Sequence, residues 1–296
     1  MSMKANLLFL YTESSLHIGA GASVSAVDLP IQRERTTQYP IVPGSGLKGV
    51  LRSQSTCDEA AKTIIFGPDP EERKAHEHAG AITVSDAHVV LFPVRALSGV
   101  FAYVTCRLAL ARLLRNLQLA GIAPGWKVPA DQKDHALVTT RSAVTVNGKA
   151  VLEEFTFQAQ PSNETDAIAA WLVNEALPTG QEYAFWRAKL QDSLVILPDT
   201  DFRDFVLNST EISTHVRLDP NTKTVASGAL WTEEALPSDV LLSSLIIVRR
   251  SRKEENDADA QTVGAWLRQA LPTRLQLGGN ETTGQGLVVA RWVEGA

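Results

Sequence analysis

Residues 211–248 read EISTHVRLDPNTKTVASGALWTEEALPSDVLLSSLIIV. Two arms, 211–218 and 224–231, are rich in β-branched residues and flank the turn Asp219-Pro220-Asn221-Thr222, the pattern of a long hairpin. A strongly apolar strand over 240–248 follows. Strands that succeed one another this way break the strict βα alternation of a doubly wound parallel sheet, and they point to an α+β fold with antiparallel sheets and inserted helices. The arms of the hairpin are polar, with few apolar residues to bury. A hairpin that buries no face is marginal by itself, so this one is expected to project and to become ordered against a partner.

Working outward, 6–11 is a compact apolar strand, and 82–85 and 88–94 read as two more. The apolar residues Val104, Leu108, Ala111, Leu114 and Leu117 recur at helical spacing and predict a helix over 103–119, ended by Gly121. A strand is expected over 151–158, helices over 165–177 and 181–190, and a short strand over 194–197. A helix over 260–270 and strands over 275–279 and 287–292 close the chain. Residues 69–80, DPEERKAHEHAG, are charged and read as a loop, in which His76, Glu77 and His78 are expected to be solvated. No period of 20–50 residues repeats.

The chain has 296 residues, 44% hydrophobic and 21% charged, enough apolar material for a core without disulfide or metal staples. No run of 18 apolar residues is present, and the N-terminal residues read as a strand rather than a signal peptide. Cys57 and Cys106 lie in no CxxC or zinc spacing and are expected to be buried small hydrophobes in a reducing, cytoplasmic setting. The net charge of −5 argues against coating nucleic acid by bulk charge.

The charge is unevenly spread. Residues 31–52 hold Arg33, Arg35, Lys48 and Arg52 against Glu34 alone. Within them, GSGLKGVLR (44–52) reads as a glycine loop feeding a helix N-terminus, a place where backbone N–H groups and a nearby Lys bind phosphate. A plain turn with a helix cap explains the same residues, and Gly49 after Lys48 rules out a Walker loop. Asp28 sits between apolar neighbours and is either functional or a turn cap; His17 is either catalytic or a structural hydrogen-bonding residue. Near the C-terminus LQLGGNETTGQGLVV (275–289) puts four glycines between two strands, where the backbone can approach either RNA phosphate or a packed element. G-x-S-x-G, H-E-x-x-H and G-x-G-x-x-G patterns are absent.

Together these blocks resemble one family. HIGAGASVSAVDLPIQRERTTQYPIVPGSGLKGVLR (17–52) resembles the N-terminal signature of the backbone subunit of type III-B CRISPR (Cmr) effector complexes, in the RAMP superfamily. IIFGP (64–68), GAITVSDAHVVLFPVRALSGVFAYVT (80–105), LVILPD (194–199) and LQLGGNETTGQGLV (275–288) continue the likeness over nearly the whole chain. VDLPIQRE is specific to that subunit; the glycine-rich loop is shared across the superfamily.

The resemblance implies a single domain over 1–296, with a modified RRM/ferredoxin-like palm, a helical insertion around 100–190 and a protruding β-hairpin thumb around 208–235. It implies copies that stack in a helical filament on guide CRISPR RNA beside other Cmr subunits, with thumbs that disrupt the guide–target duplex at intervals. Single-stranded target RNA is then cleaved beside each disruption with a divalent metal, magnesium or manganese. The family's catalytic Asp matches Asp28, which would also hold the metal, weakly without RNA because one carboxylate is a thin site. His17, Asp86 and Glu234 are secondary candidates for the cleavage site. Guide contact is expected from Arg33, Arg35, Ser45, Lys48 and Arg52, and from Gly278, Gly279, Gly284 and Gly286. The aromatic string of a base-stacking RRM is missing, so RNA is expected to be held by its backbone while base pairing reads the sequence. A non-catalytic scaffold, the type III-A backbone subunit and a guide-processing endonuclease of the same superfamily are the alternatives.

Overall fold

The computed structural model describes residues 3–24, 26–69, 78–130, 134–254 and 256–296, with backbone alone at 226–228. The first half runs β1 (Met3–Thr12), β2 (Ile41–Val42), α1 (Gly44–Gln54), α2 (Glu59–Phe66), β3 (Ile82–Val84), β4 (Ala87–Arg95), β5 (Phe101–Cys106), α3 (Arg107–Leu119), β6 (His135–Val138) and β7 (Thr145–Val146). Next come β8 (Lys149–Leu152), β9 (Phe155–Pro161), α4 (Asn163–Trp171) with a π-helical turn at Leu172–Ala176, α5 (Ala184–Ser193), β10 (Leu194–Leu197) and α6 (Asp199–Asn208). The chain closes with β11 (Glu211–Leu218), β12 (Val225–Ala235), β13 (Leu241–Arg249), α7 (Ala260–Ala270), β14 (Arg274–Gln276) and β15 (Leu287–Val293).

Among the described residues one mixed sheet takes thirteen strands in the order β14-β15-β1-β13-β4-β5-β10-β6-β9-β8-β7, with β2 also on β4 and β3 on β13. β1 lies between β13 and β15, antiparallel to both, with Leu7 opposite Leu245 and Val293. Side chains alternate across a strand. Leu8 and Leu10 therefore join one core with Leu47, Leu51, Ile65, Val263 and Leu267, under α1, α2 and α7. Leu7, Phe9 and Tyr11 join a second core with Leu110, Leu113, Ile168, Leu172 and Leu190, under α3, α4 and α5. Both faces are covered, which is why LLFLY (7–11) is apolar throughout rather than alternating.

The α+β class is as expected, and the hairpin, β13 and α7 fall where they are predicted. Other elements differ. The helix read over 103–119 begins only at Arg107: Tyr103, Val104 and Thr105 extend β5 instead, and the Cys106 thiol accepts from Ala109 N at 3.5 Å to start α3. The strand read over 151–158 is interrupted at Glu153, whose φ of 48° turns the chain between β8 and β9. The sequence reading contains neither α2, β6 nor α6. Residues 101–193 contribute strands as well as helices to the molecule. Cys106 is buried and Cys57 half-buried, both free. His76 and Glu77 lie outside the described residues, as does most of the charged loop around them.

The hairpin β11–β12 is a sheet of its own, with Thr214 opposite Thr232 and His215 opposite Trp231. It leaves the body of the protein: Ile212, Val216, Leu218, Val225 and Leu230 are all exposed. The imidazole of His215 stacks on the Trp231 indole at 5.5 Å, a cross-strand pair of the kind that stabilises isolated hairpins. Burial becomes continuous at 233–236, the end of β12 and the residue after it, while Ala229 alone is buried further out.

Candidate active site

The buried end of β12 is held between two N-terminal segments. On one side Leu16 and Leu236 exchange both backbone hydrogen bonds, at 2.8 and 2.9 Å. On the other, Leu29 N donates to Thr232 O and Glu234 N donates to Leu29 O, each at 3.0 Å. The segment between folds back on itself, with Gln32 N donating to Ile18 O and Ala20 N to Pro30 O. Four residues read from the sequence are thereby set against the root of the hairpin: His17, Asp28, Arg33 and Glu234.

Asp28 is exposed. Its Oδ2 accepts from Thr232 N at 2.8 Å and from Thr232 Oγ1 at 2.9 Å, while Asp28 N donates to Thr232 Oγ1 at 3.0 Å. The Thr232 hydroxyl so closes a ring with Asp28, donating to its carboxylate and accepting from its amide. Hydrogen bonds from the Thr232 backbone N–H, then from its hydroxyl, hold the Asp28 carboxyl below the usual range, because they favour its ionised form. The result is a carboxylate that is fixed, charged and open to solvent.

His17 is buried, and its Nδ1 lies 2.6 Å from Glu234 O. A carbonyl oxygen can only accept, so Nδ1 carries the proton and Nε2 is bare in the neutral ring. The ring edge is packed against Gly19 and Gly279, and a Cβ at Gly19 would fall 2.9 Å from Nε2. Glu234 is fully committed: Oε2 accepts from Ile31 N at 3.0 Å, and Oε1 accepts from Thr210 Oγ1 at 2.9 Å and from Arg33. Arg33 also donates to Gln38 O and Val206 O, each at 2.9 Å. These are the contacts of anchors that set the hairpin root, and they leave Asp28 as the accessible charged group of the four.

Asp86 stands apart. Its Oδ1 accepts from Gly44 N at 2.7 Å and so caps α1. The stretch expected to be a glycine loop is the first turn of that helix, and Gly44 is glycine because a Cβ would run into the backbone of Val84 and Ser85. Ser45 is exposed on the same turn. Further along α1, Lys48 is half-buried, and its ammonium is held below the usual lysine range by burial and by the charges of Arg52 and Arg252. Arg52 donates to Gly67 O at 2.5 Å. Arg35 is exposed on the loop between Asp28 and β2.

The C-terminal glycines separate into two kinds. At Gly278 (φ 72°) a Cβ would meet His17 O, and at Gly286 (φ 81°) it would meet Leu277 O, so both are required by close packing against the chain's own backbone. Gly284 (φ 87°) faces open space, and Gly279 makes ordinary contact with the His17 ring. The loop they form reaches the hairpin through Asn280, whose Nδ2 donates to Glu233 Oε1.

Thr232, Glu233, Asn280 and Arg252 are not among the site residues read from the sequence. The predicted arm ends at Trp231, one residue before the strand reaches the site. Arg252 lies in the basic-to-acidic run RRSRKEENDAD (249–259), and only the fold brings it to Lys48. Among the described residues no group of three or more His, Cys, Asp or Glu is arranged to hold a metal, and no helix is long and apolar enough to cross a membrane.

Residues 9–289 match the RAMP superfamily. The chain is 41% identical over 293 residues to the CRISPR system Cmr endoribonuclease Cmr4 of Pyrococcus furiosus, covering 97% of this chain and 95% of that protein. Its fold superposes on the crystal structure of oligomeric Cmr4 from Pyrococcus furiosus with a TM-score of 0.76 at 35% identity, over 100% of both chains. A chain in the cryo-EM structure of the Type III-B Cmr-beta bound to cognate target RNA shares the fold with a TM-score of 0.73 at 22% identity, over 97% of this chain and 96% of that one. Likeness on this scale, through the hairpin root and both glycine-bearing segments, has one reading: the chain belongs to the RAMP superfamily and, within it, to the Cmr4 proteins.

Proposed function

We propose that this chain is the repeated backbone subunit of a type III-B CRISPR effector complex, that its copies hold guide RNA in the cytoplasm beside other Cmr subunits, and that each copy cuts paired target RNA with Asp28. The observation that carries this reading is the exposed, ionised Asp28 carboxylate fixed to Thr232 at the root of a hairpin whose first arm is almost wholly exposed. The 41%-identical relative is named an endoribonuclease, and the two free thiols, Cys57 and Cys106, agree with a reducing compartment.

RNA cleavage without an external nucleophile needs a 2'-hydroxyl in line with the neighbouring phosphorus, a geometry that a regular duplex withholds. The apolar side chains of the hairpin, Ile212, Val216, Leu218 and Leu230, suit a wedge that unstacks one step of the guide–target duplex. Asp28 then meets the distorted step as a preoriented negative charge. Its single carboxylate suits magnesium or manganese only if RNA phosphate and water complete the shell, so metal binding is weak without RNA. When bound, the metal offsets charge on the phosphate. His17 acts one layer back, holding the Glu234 main chain through Nδ1. Lys48, close enough to Arg52 and Arg252 to feel their charge, offers positive charge for guide phosphates on a protein whose net charge is −5, with Asp69 3.9 Å from Arg52. Sequence is left to base pairing.

The test is cleavage of a labelled guide-complementary RNA by the assembled complex, with wild-type chain and with Asp28→Ala, with target binding measured in parallel. Regular cuts that vanish in the variant while binding persists are expected. Unchanged cutting would make this chain a scaffold and move catalysis elsewhere in the complex.

A further inference from the structure

At the root of the hairpin, Thr232 bonds to the Asp28 segment through both its backbone and its side chain. Thr232 donates from both its backbone N–H and its hydroxyl to one oxygen, Asp28 Oδ2, and its hydroxyl accepts from Asp28 N. Its carbonyl accepts from Leu29 N. The next two residues of β12 are fixed independently: Glu233 to Asn280 on the glycine loop, Glu234 to Arg33, Thr210 and Ile31 N. The strand therefore enters the site rigidly, and Thr232 is the point at which that rigidity is passed to the carboxylate. Two residues outward, Leu230 is exposed, and Trp231 is stacked on His215. The part of the hairpin that would face RNA and the part that holds Asp28 are adjacent residues of one strand.

We infer that Thr232 is a positioning residue for cleavage, whose hydroxyl locks the rotamer of Asp28 and ties it to the seating of the hairpin on the target. This rests on the reading of Asp28 as the cleaving group. The chemistry argues for the hydroxyl specifically. A carboxylate held through the backbone N–H alone turns about that bond, whereas a second donor on the same oxygen and a return acceptor for the Asp28 amide fix it in three places. Valine keeps the shape of threonine and removes both hydroxyl contacts; serine keeps the hydroxyl and removes only the methyl group. Partners of this kind, hydrogen-bonded to a reacting or ligating carboxylate, typically contribute about 10–100-fold to activity.

The experiment compares the wild-type complex, assembled on guide RNA, with complexes carrying Thr232→Val, Thr232→Ser and Asp28→Ala. Single-turnover cleavage at saturating target is measured beside target affinity. The expected result is a cleavage rate lowered about 10–100-fold in Thr232→Val with target affinity unchanged, recovery towards the wild-type rate in Thr232→Ser, and no cutting in Asp28→Ala. Equal rates for Thr232→Val and wild type, while Asp28→Ala is inactive, would overturn the role of Thr232 and leave Asp28 standing. Equal losses in the Val and Ser variants would overturn it also, because packing of the methyl group would then be the cause. Full cutting by Asp28→Ala would remove the reading on which the inference rests.

Discussion

Arg33 and Glu234, expected from the sequence at the RNA contact and the cleavage site, are tied into the framework of the fold by their contacts. Both are largely buried, at 13% and 8% side-chain exposure, and each also bonds to other partners: Arg33 to Gln38 O and Val206 O, Glu234 to Ile31 N and Thr210 Oγ1. Removing one partner of such a pair strands a buried charge, which costs about 3 kcal/mol or more. Arg33→Ala is therefore expected to lower stability by about 3 kcal/mol in urea denaturation, and Arg33→Lys to recover little of it, because an ammonium cannot reproduce the three-way fork to Glu234, Gln38 O and Val206 O. A fall in guide affinity with unchanged stability would instead make Arg33 an RNA contact. Asp28 is the opposite case. Its neighbours Val27 and Leu29 suggest a turn cap as readily as a functional acid, and the motif it sits in is what singles it out. Its partner Thr232 was beyond the reach of sequence, since 204 residues separate the two and no local pattern joins them.

At the scale of elements, legibility follows how local the cause is. The hairpin is legible because its turn chemistry and β-branched arms are contiguous, and α7 because its apolar face is periodic. The boundary between β5 and α3 is not: Val104 is buried in both readings, and only pairing with β4 and β10 makes Tyr103 to Cys106 a strand. The glycine loop makes the same point about function. Its glycines fit two explanations in sequence, and the fold divides them, with Gly278 and Gly286 pressed against backbone and Gly284 open. The contrast is measurable. Gly284→Ala is expected to cost about 1 kcal/mol from its left-handed φ alone. Gly286→Ala adds a collision with Leu277 O and should exceed about 3 kcal/mol in the same denaturation assay. Comparable losses in both would mean that the loop yields and that close approach does not determine Gly286.

Across the whole molecule, a sheet covered on both faces holds a rigid platform from which one hairpin leaves. The fold spends 232–236 on anchoring that hairpin: to the Asp28 segment, to Leu16, to the Arg33–Ile31 segment and to the glycine loop. In a filament of identical subunits, every copy then carries its own exposed hairpin and its own Asp28 carboxylate, spaced by the repeat of the assembly. Lys48 feels the charges of Arg52 and Arg252, a local concentration of positive charge on a chain whose net charge is −5, with Asp69 3.9 Å from Arg52 as a partial counterweight.

That each copy cuts for itself is the central claim, and complexes assembled from an equal mixture of wild-type and Asp28→Ala chains test it most directly. The same cut positions as wild type are expected, each with a yield reduced in proportion to the fraction of variant chains. Loss of all cutting at low variant fractions, or a cut pattern indifferent to the variant, would contradict it.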